Sequence, residues 1–120
     1  MNVIEESIRL HDLAWRDHSR FAEHLEQAAK LLRAEYEDGE RDSLLINNYA
    51  AVLLDLHRDA EALALLQSSV PDCAEHCLNT AIAIAKSAYD LARIRQWNLA
   101  TADYPRRQGA LVAYMDWQGL

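Results

Sequence analysis

The sequence predicts an all-α protein, with five to seven helices stacked as antiparallel hairpins and a last helix closing the C-terminal end. Three observations support this class. Ala, Leu, Glu and Arg dominate the composition whereas Val and Ile are few, which favours helix over strand. Apolar residues recur three and four positions apart, as they do on one face of a helix. Short polar segments separate these stretches, which is typical of helical hairpins.

The composition indicates a single domain over residues 1–120. Hydrophobic residues make up 51% of the chain, which supports a packed core and excludes a disordered protein. No run approaches the roughly 18 apolar residues that cross a membrane. The N-terminal stretch carries Glu5 and Glu6 where a secretion signal carries positive charge. With two cysteines, which suit reduced thiols, this predicts a cytoplasmic protein without membrane contact.

Residues 3–37 contain neither Gly nor Pro, and their apolar residues and histidines alternate four and three positions apart. This spacing places the residues on one helix face and predicts one of two structures. The first is a single long helix. The second is a hairpin broken near residues 17–19, where Asp17 or Ser19 would cap a second helix. The two alternatives stay open at this point.

Residues 37–42 are the clearest loop, because they are polar, charged and contain a glycine. Gly39 is expected to end one helix. Asp42 or Ser43 is expected to cap the next helix, which runs to about Leu56. The loop therefore separates the first 37 residues from a second hairpin.

A tight turn at residues 56–58 is predicted within this second hairpin. Its second helix runs from Asp59 to about Ser68, with Asp59 as the N-cap and negative charge in the first turn. Ala50 and Ala62 are small where larger side chains would hold the two helices apart. The two helices are therefore expected to touch at these alanines.

A third hairpin is predicted after Pro71. Asp72 and Glu75 have the spacing of a capping box at the start of a helix. Residues 77–85 are apolar on nearly all sides, which predicts a central, buried helix. A turn is expected at about residues 86–88.

The chain after this turn is predicted to finish the hairpin over residues 93–99 and to form a loop at 101–104. Pro105 suits the first turn of a last helix, which would cover the open end of the stack. Several aromatic residues lie near this end. Tyr114 or Trp117, if exposed, would mark a partner surface or a homodimer surface, so Trp117 is a candidate partner-binding residue.

The second and third hairpins resemble the tetratricopeptide repeat, a helical hairpin with aromatic, small and proline residues at set positions. The resemblance covers about residues 43–105. The first match is Ile46-x2-Tyr49-Ala50-x2-Leu53, Ala62-x3-Leu66 and Pro71. The second, 31 residues on, is Cys77-x2-Thr80-Ala81-x2-Ile84, Arg93-x3-Trp97 and Pro105. The chain departs from the family at Arg93, where the family has Ala, and has no Gly at either turn.

The resemblance implies a concave groove in which Asn side chains hold a peptide backbone. Asn48 and Asn79 hold the matching positions of the two first helices, so both are candidate partner-binding residues. A groove for a carboxylate would also need a base one or two turns later. Lys86 meets this requirement after Asn79, but Asp55 stands at the matching place after Asn48. We therefore expect Asp55 to favour a basic ligand.

The charge is distributed unevenly along the chain. Residues 1–76 hold 16 of the 19 acids and a net charge of −9, whereas residues 77–120 have a net charge of +2. An acidic surface disfavours nucleic acid and attracts a protein with a basic contact surface. Glu37 and Asp38, in the predicted loop, and Asp55 are the acids expected to meet that partner.

The sequence predicts neither catalysis nor a cofactor. Cys73, His76 and Cys77 offer at most three ligands, whereas tetrahedral zinc needs four, and no second Cys or His pair follows. We find no Ser-His-Asp pattern, no Gly-rich phosphate loop and no HExxH motif. Catalytic and metal sites are therefore expected to be absent.

A short, acidic, single-domain helical protein without a motif for chemistry is expected to bind another protein. The first hypothesis is a bacterial immunity protein that neutralises a basic toxin, because an acidic surface suits a basic active site. The alternative is a secretion chaperone or tetratricopeptide-like adapter for an export substrate. A small metal-binding regulator that uses residues 73–77 is a further alternative.

Overall fold

The structure is a computed structural model that describes residues 2–113, and it confirms the all-α prediction for this range. Six α-helices and two short 3-10 helices account for most of these residues. The α-helices are α1 (Val3–Arg16), α2 (Phe21–Glu37), α3 (Ser43–Asp55), α4 (Asp59–Gln67), α5 (Ala74–Ser87) and α6 (Leu91–Ala100). The 3-10 helices are His18–Arg20 and Thr101–Asp103.

The first 37 residues form a hairpin, so the second of the two alternatives is correct. The Asp17 carboxylate accepts a hydrogen bond from the backbone N–H of Ser19 at 3.2 Å, and this bond caps the short 3-10 helix between α1 and α2. Trp15 and Phe21 pack edge to face across the break, with ring centroids 4.6 Å apart. The chain therefore reverses where a capping residue and an aromatic contact coincide.

The loop before α3 has the predicted structure. Gly39 has φ +101°, a left-handed conformation that favours glycine, and it follows the end of α2. The Asp42 carboxylate accepts a hydrogen bond from the backbone N–H of Leu44 at 2.8 Å and so caps α3.

The two later hairpin turns each place a residue other than glycine in the left-handed region. His57 lies between α3 and α4 with φ +62°, and Tyr89 follows α5 with φ +48°. The predicted turn at residues 56–58 is therefore confirmed. Asp59 is not the N-cap, because it is the first residue of α4 and its carboxylate pairs with Nζ of Lys86 at 3.0 Å.

Each helix packs against the next one along the chain, and α3 also contacts both α1 and α5. The helices α1, α3 and α5 thus form one layer, with α3 in its centre. Every residue of α3 from Leu45 to Asp55 is buried, and most of α5 is buried as predicted, whereas α6 has no buried residue. None of the helices within residues 2–113 is both long and apolar enough to cross a membrane.

The expected helix after Pro105 is wrong for the part of it that the structure describes. Residues 105–113 are not helical. Gly109 is left-handed, with φ +84°, and main-chain groups of Gly109, Leu111 and Ala113 bond to side chains of α3 and α5. The remainder of the expected helix, including Tyr114 and Trp117, lies outside the described residues.

The expected capping box at the start of α5 is also wrong. The helix begins at Ala74, and the residue before it, Cys73, makes no side-chain capping bond. Asp72 accepts from Ser43 and Arg107 instead, while the N–H of Ala74 donates to the carbonyl oxygen of Pro105 at 2.8 Å. Partners distant in sequence thus replace the local cap.

Candidate functional site: an asparagine groove and an acidic cleft

Asn48 and Asn79 lie at the predicted equivalent positions of α3 and α5, and both are fully buried. Buried carboxamides are costly unless their donors and acceptors are all paired. In this protein they pair with the backbone of the segment 109–113, which lies in a groove between α1, α3 and α5. We call this groove the asparagine groove.

Asn48 binds two backbone groups of the segment. Its Nδ2 donates to the carbonyl oxygen of Gly109 at 2.9 Å, and its Oδ1 accepts from the N–H of Leu111 at 2.8 Å. One carboxamide thus binds the segment as a neighbouring strand would, through residues two positions apart.

Asn79 repeats this arrangement two residues further along. Its Nδ2 donates to the carbonyl oxygen of Leu111 at 3.0 Å, and its Oδ1 accepts from the N–H of Ala113 at 2.9 Å. Both main-chain groups of Leu111 are therefore held, one by each asparagine. The two asparagines bind alternate residues of one extended segment.

Asn47 joins the two carboxamides into a network, and it was missed by the sequence analysis. Its Nδ2 donates to Leu111 O at 2.9 Å and to Oδ1 of Asn48 at 3.1 Å, and its Oδ1 accepts from Asn79 at 2.8 Å. The available signal was a second adjacent Asn in an otherwise apolar helix. A buried polar pair in such a helix indicates a hydrogen-bonding role.

Arg107 anchors the same segment at its other end and was also missed. Its guanidinium donates to Asp72 at 2.9 Å, to Ser43 Oγ at 2.7 Å and to Asp42 at 3.3 Å. Its backbone N–H donates to the carboxylate of Glu75 at 3.2 Å. Arg107 therefore binds three acids, two through its guanidinium and one through its backbone N–H, and these acids give the groove an acidic end.

The expectation that Asp55 meets a partner is corrected. Its side chain is fully buried, with Oδ2 lying 2.8 Å from Nε2 of His11 on α1. Lys86, the base that the resemblance would assign to a carboxylate ligand, is bound within the protein as well. Its Nζ donates to the carbonyl oxygen of Leu54 at 2.6 Å and pairs with the Asp59 carboxylate. The C-terminal end of α3 is thus covered by α1 and α5, which the repeat pattern does not reveal.

A second feature is a cleft of about 460 Å³ between the N-terminus of α1 and the region that joins α2 to α3. We call it the acidic cleft. Its apolar lining includes Val3, Ile4 and two leucines of α3, and three acids also line it, namely Glu35, Glu40 and Asp42. Glu37, the last residue of α2, and Asp38, the first residue of the loop to α3, are both exposed, and Glu37 lines a separate hollow that also contains Arg33.

The charges around the cleft are mostly uncompensated. Residues 35–42 contain five acids and one base, Arg41. The Arg41 guanidinium lies 3.7 Å from the centre of the Tyr36 ring and donates to the Tyr36 carbonyl oxygen. No salt bridge within residues 2–113 involves Glu37 or Asp38. Asp38 is therefore free to attract positive charge, whereas Glu37 also interacts electrostatically with Arg33.

Cys73, His76 and Cys77 do not come together as three potential metal ligands in the part of the chain that the structure describes. Residues 2–113 contain no group of three His, Cys, Asp or Glu side chains that could hold a metal ion. Burial raises the pKa of both thiols and lowers the pKa of His76, so the residues are held uncharged. Their side chains are buried in the interior of the protein instead.

The predicted site residues thus fall into separate places. Asn48 and Asn79 lie together in the asparagine groove, Glu37 and Asp38 lie at the end of α2 and the start of the following loop, and Asp55 is buried elsewhere. Trp117 lies outside the described residues. The chain matches no family model, and comparison with curated proteins and with solved structures finds no similar protein.

Proposed function

We propose that this chain is a non-catalytic protein-binding module, and specifically an immunity protein that neutralises a toxin with a basic contact surface. The observation that carries the proposal is the acidic cleft, where Glu35, Glu40 and Asp42 surround an apolar floor and, among the described residues, only Asp42 of the three forms an ion pair, with Arg107. The acids proposed to meet the partner are Glu35, which lines the cleft, and Glu37 and Asp38, at the end of α2 and the start of the following loop. Asp55 is not among them, because it is buried.

The chemistry of the cleft suits lysine and arginine side chains. Their aliphatic stems pack on apolar surface while their charged ends reach carboxylates. Val3 and Ile4 would receive the stem, and Glu35 would pair with the charged end. Charges at the rim of an interface act mainly on the association rate and on its dependence on salt.

The arrangement of the helices supports a tetratricopeptide-like module as the scaffold. The first helices of the three hairpins, α1, α3 and α5, are neighbours in one layer, and consecutive helices pair along the chain. Ala50 and Ala62 are both fully buried, as the small positions of such repeats require. Stacked hairpins present extended faces to proteins, and binding proteins commonly use such faces.

The test begins by capturing the partner from the source organism with the tagged full-length chain. Association rates are then measured at low and at high ionic strength for the wild type and for Glu35→Lys/Glu37→Lys/Asp38→Lys. We expect the triple variant to associate about tenfold more slowly at low salt and to lose most of the salt dependence. A matched control is Asp12→Lys/Glu26→Lys/Asp103→Lys, which changes the charge equally at exposed acids elsewhere.

The two triple variants separate local from general electrostatics. Equal slowing by both would mean that only net charge matters and would remove the acidic cleft from the proposal. The immunity role has its own readout, which is growth of cells that express the captured partner. Arrest by the partner alone and rescue by co-expression are expected, whereas a harmless partner would remove the immunity role.

A further inference from the structure

We propose that the outer face of α6 is a docking surface for an acidic amphipathic helix of another protein. We call this surface the α6 face. It consists of Leu91, Arg95 and Leu99, together with Tyr89 just before the helix. This inference concerns a different surface from the acidic cleft and does not depend on the proposed function.

The first step is that the α6 face points away from the core. Residues four positions apart lie on one side of a helix, so Leu91, Arg95 and Leu99 form a single ridge. All three are exposed, whereas Ile94 and Trp97, on the opposite side, are half-buried. Among the described helices, α6 contacts only α5 and the 3-10 helix that follows it. Within residues 2–113 no further helix covers the ridge.

The second step is that exposed apolar side chains are concentrated at this face. Only four large hydrophobic residues within residues 2–113 are exposed. Three of them are Tyr89, Leu91 and Leu99, with exposed fractions of 61%, 48% and 75%. The fourth, Val70, lies in a loop, so none belongs to the helices α1 to α5. The end of a helical stack is normally polar, and apolar side chains gathered there indicate an interaction surface.

Tyr89 provides an independent indication of such a surface. Its φ of +48° lies in the left-handed region that favours glycine. Because its ring is mostly exposed, the folded chain gains little packing from the tyrosine. Strained residues of this kind are concentrated at functional sites, and aromatic rings are frequent anchors of protein interfaces.

The charge of the α6 face specifies the chemistry of its partner. Arg95 lies between the two leucines, and Arg93 belongs to the same helix. Neither arginine forms an ion pair within the described part of the chain, whereas Arg9, Arg20 and Arg58 each pair with a nearby acid. A partner carboxylate can therefore pair with Arg95 while apolar residues on either side of that carboxylate pack on the leucines.

The geometry of the ridge favours a helix as the partner element. Side chains four positions apart on one helix fit into the groove between the corresponding rows of a second helix. To contact both leucines and Arg95, that helix must present apolar residues at helical spacing with an acid among them. This pattern is that of an acidic amphipathic helix.

A second copy of this chain fits the α6 face less well. A two-fold contact between two such faces would bring Arg95 close to the same residue of the other copy, because Arg95 is at the centre of the ridge. The described surfaces of α1 and α2 are acidic but expose no large hydrophobic residue to meet the leucines. An anionic membrane is disfavoured as well, because the chain has a net charge of −7.

The experiment uses the full chain and a fluorescein-labelled helical peptide of leucine, alanine and glutamate, with the leucines on one face and glutamates beside them. Fluorescence polarisation measures binding to the wild type, to Arg95→Glu and to Leu91→Ser/Leu99→Ser. We expect each variant to bind the peptide at least about tenfold more weakly. Lys30→Glu is the matched control and should bind as the wild type does, because Lys30 is also exposed and without an ion pair within residues 2–113.

A second peptide, with lysine in place of every glutamate, tests the sign of the charge. We expect it to bind Arg95→Glu more tightly than the wild type, which reverses the order found for the acidic peptide. All substituted residues are exposed, so the variants are expected to fold. Circular dichroism checks that each variant keeps the helix content of the wild type.

Four results would overturn the proposal. If the acidic peptide does not bind the wild type, or binds all variants equally, the α6 face does not take this class of ligand. Equal weakening by Lys30→Glu would mean that only net charge matters. Binding to vesicles that contain phosphatidylserine, lost in Arg95→Glu, would make a membrane the occupant. A wild-type dimer that excludes the peptide and dissociates in Leu91→Ser/Leu99→Ser would make a second copy the occupant.

This experiment and the charge-reversal test of the acidic cleft are independent. The variants of the α6 face leave Glu35, Glu37 and Asp38 unchanged, and the triple variant of those acids leaves α6 unchanged. Failure of one proposal is therefore distinguishable from failure of the other.

Discussion

Asn48 and Asn79 make the same two hydrogen bonds to one extended segment, with the second pair displaced by two residues. Asn48 binds Gly109 and Leu111, and Asn79 binds Leu111 and Ala113. Equivalent positions on neighbouring helices thus match the repeat of an extended chain. The two asparagines thus join the buried helices α3 and α5 to residues 109–113, which end the described part of the chain.

The first prediction is that Asn79→Ala destabilises the protein by about 2–3 kcal/mol. The substitution leaves the N–H of Ala113 and the Oδ1 of Asn47 without their present partner in a buried site. The free energy of unfolding in urea measures the effect. Asn98→Ala, at an exposed position of α6, is the matched control and should change little. Equal stability of both variants would contradict the role of the network.

The second prediction is that Ala50→Leu and Ala62→Leu each destabilise the protein by about 1–3 kcal/mol. Both alanines are fully buried in the α3–α4 hairpin, so three added carbons have no space without displacing neighbours. Ala60→Leu, at an exposed position of α4, controls for helix propensity. Melting temperatures for both buried variants equal to that of the wild type would show that the two helices do not pack closely.

The third prediction is that Tyr89→Gly stabilises the protein by about 0.5–1 kcal/mol. Tyr89 has φ +48° after α5 and its side chain is mostly exposed, so glycine relieves strain at little cost in packing. Tyr89→Ala removes the same side chain but keeps the strain, and it should not stabilise. Thermal unfolding distinguishes the two. A gain with alanine equal to that with glycine would trace the effect to the aromatic ring.

The fourth prediction concerns pH. Burial lowers the pKa of His76 below its ordinary value of 6.5, while the backbone of Leu66 and the charge of Asp72 oppose this more weakly. Between the lowered pKa and about 6.5, the unfolded chain binds more protons than the folded chain. The contribution of His76 to stability is therefore present above pH 6.5 and is lost as the pH falls below it.

The measurement is the free energy of unfolding at pH 7.5 and at pH 5.5 for the wild type and for His76→Gln. We expect the variant to lose less stability on acidification, by up to about 1.4 kcal/mol per pH unit below 6.5. His18→Gln, at an exposed position, is the control and should behave as the wild type does. A wild-type pH dependence in the His76 variant would mean that other groups cause the acid response.

The sequence by itself determined part of the local structure. The loop at residues 37–42, the Asp42 cap and the turn at residues 56–58 depend on residues a few positions apart, and each was predicted correctly. It also selected Asn48 and Asn79 through their resemblance to a repeat. Binding to a partner by these residues stays a prediction, because the backbone that they hold in this structure belongs to the same chain.

Only the tertiary structure decided the fates of Asp55, Asp72 and residues 105–113. Asp55 meets His11, 44 positions away, Asp72 meets Arg107, 35 positions away, and Leu111 meets Asn48, 63 positions away. Local patterns favoured a surface acid, a helix cap and a last helix. Each was overridden because a buried or charge-assisted hydrogen bond to a distant partner stabilises more than the local alternative, and such partners become neighbours only when the helices pack.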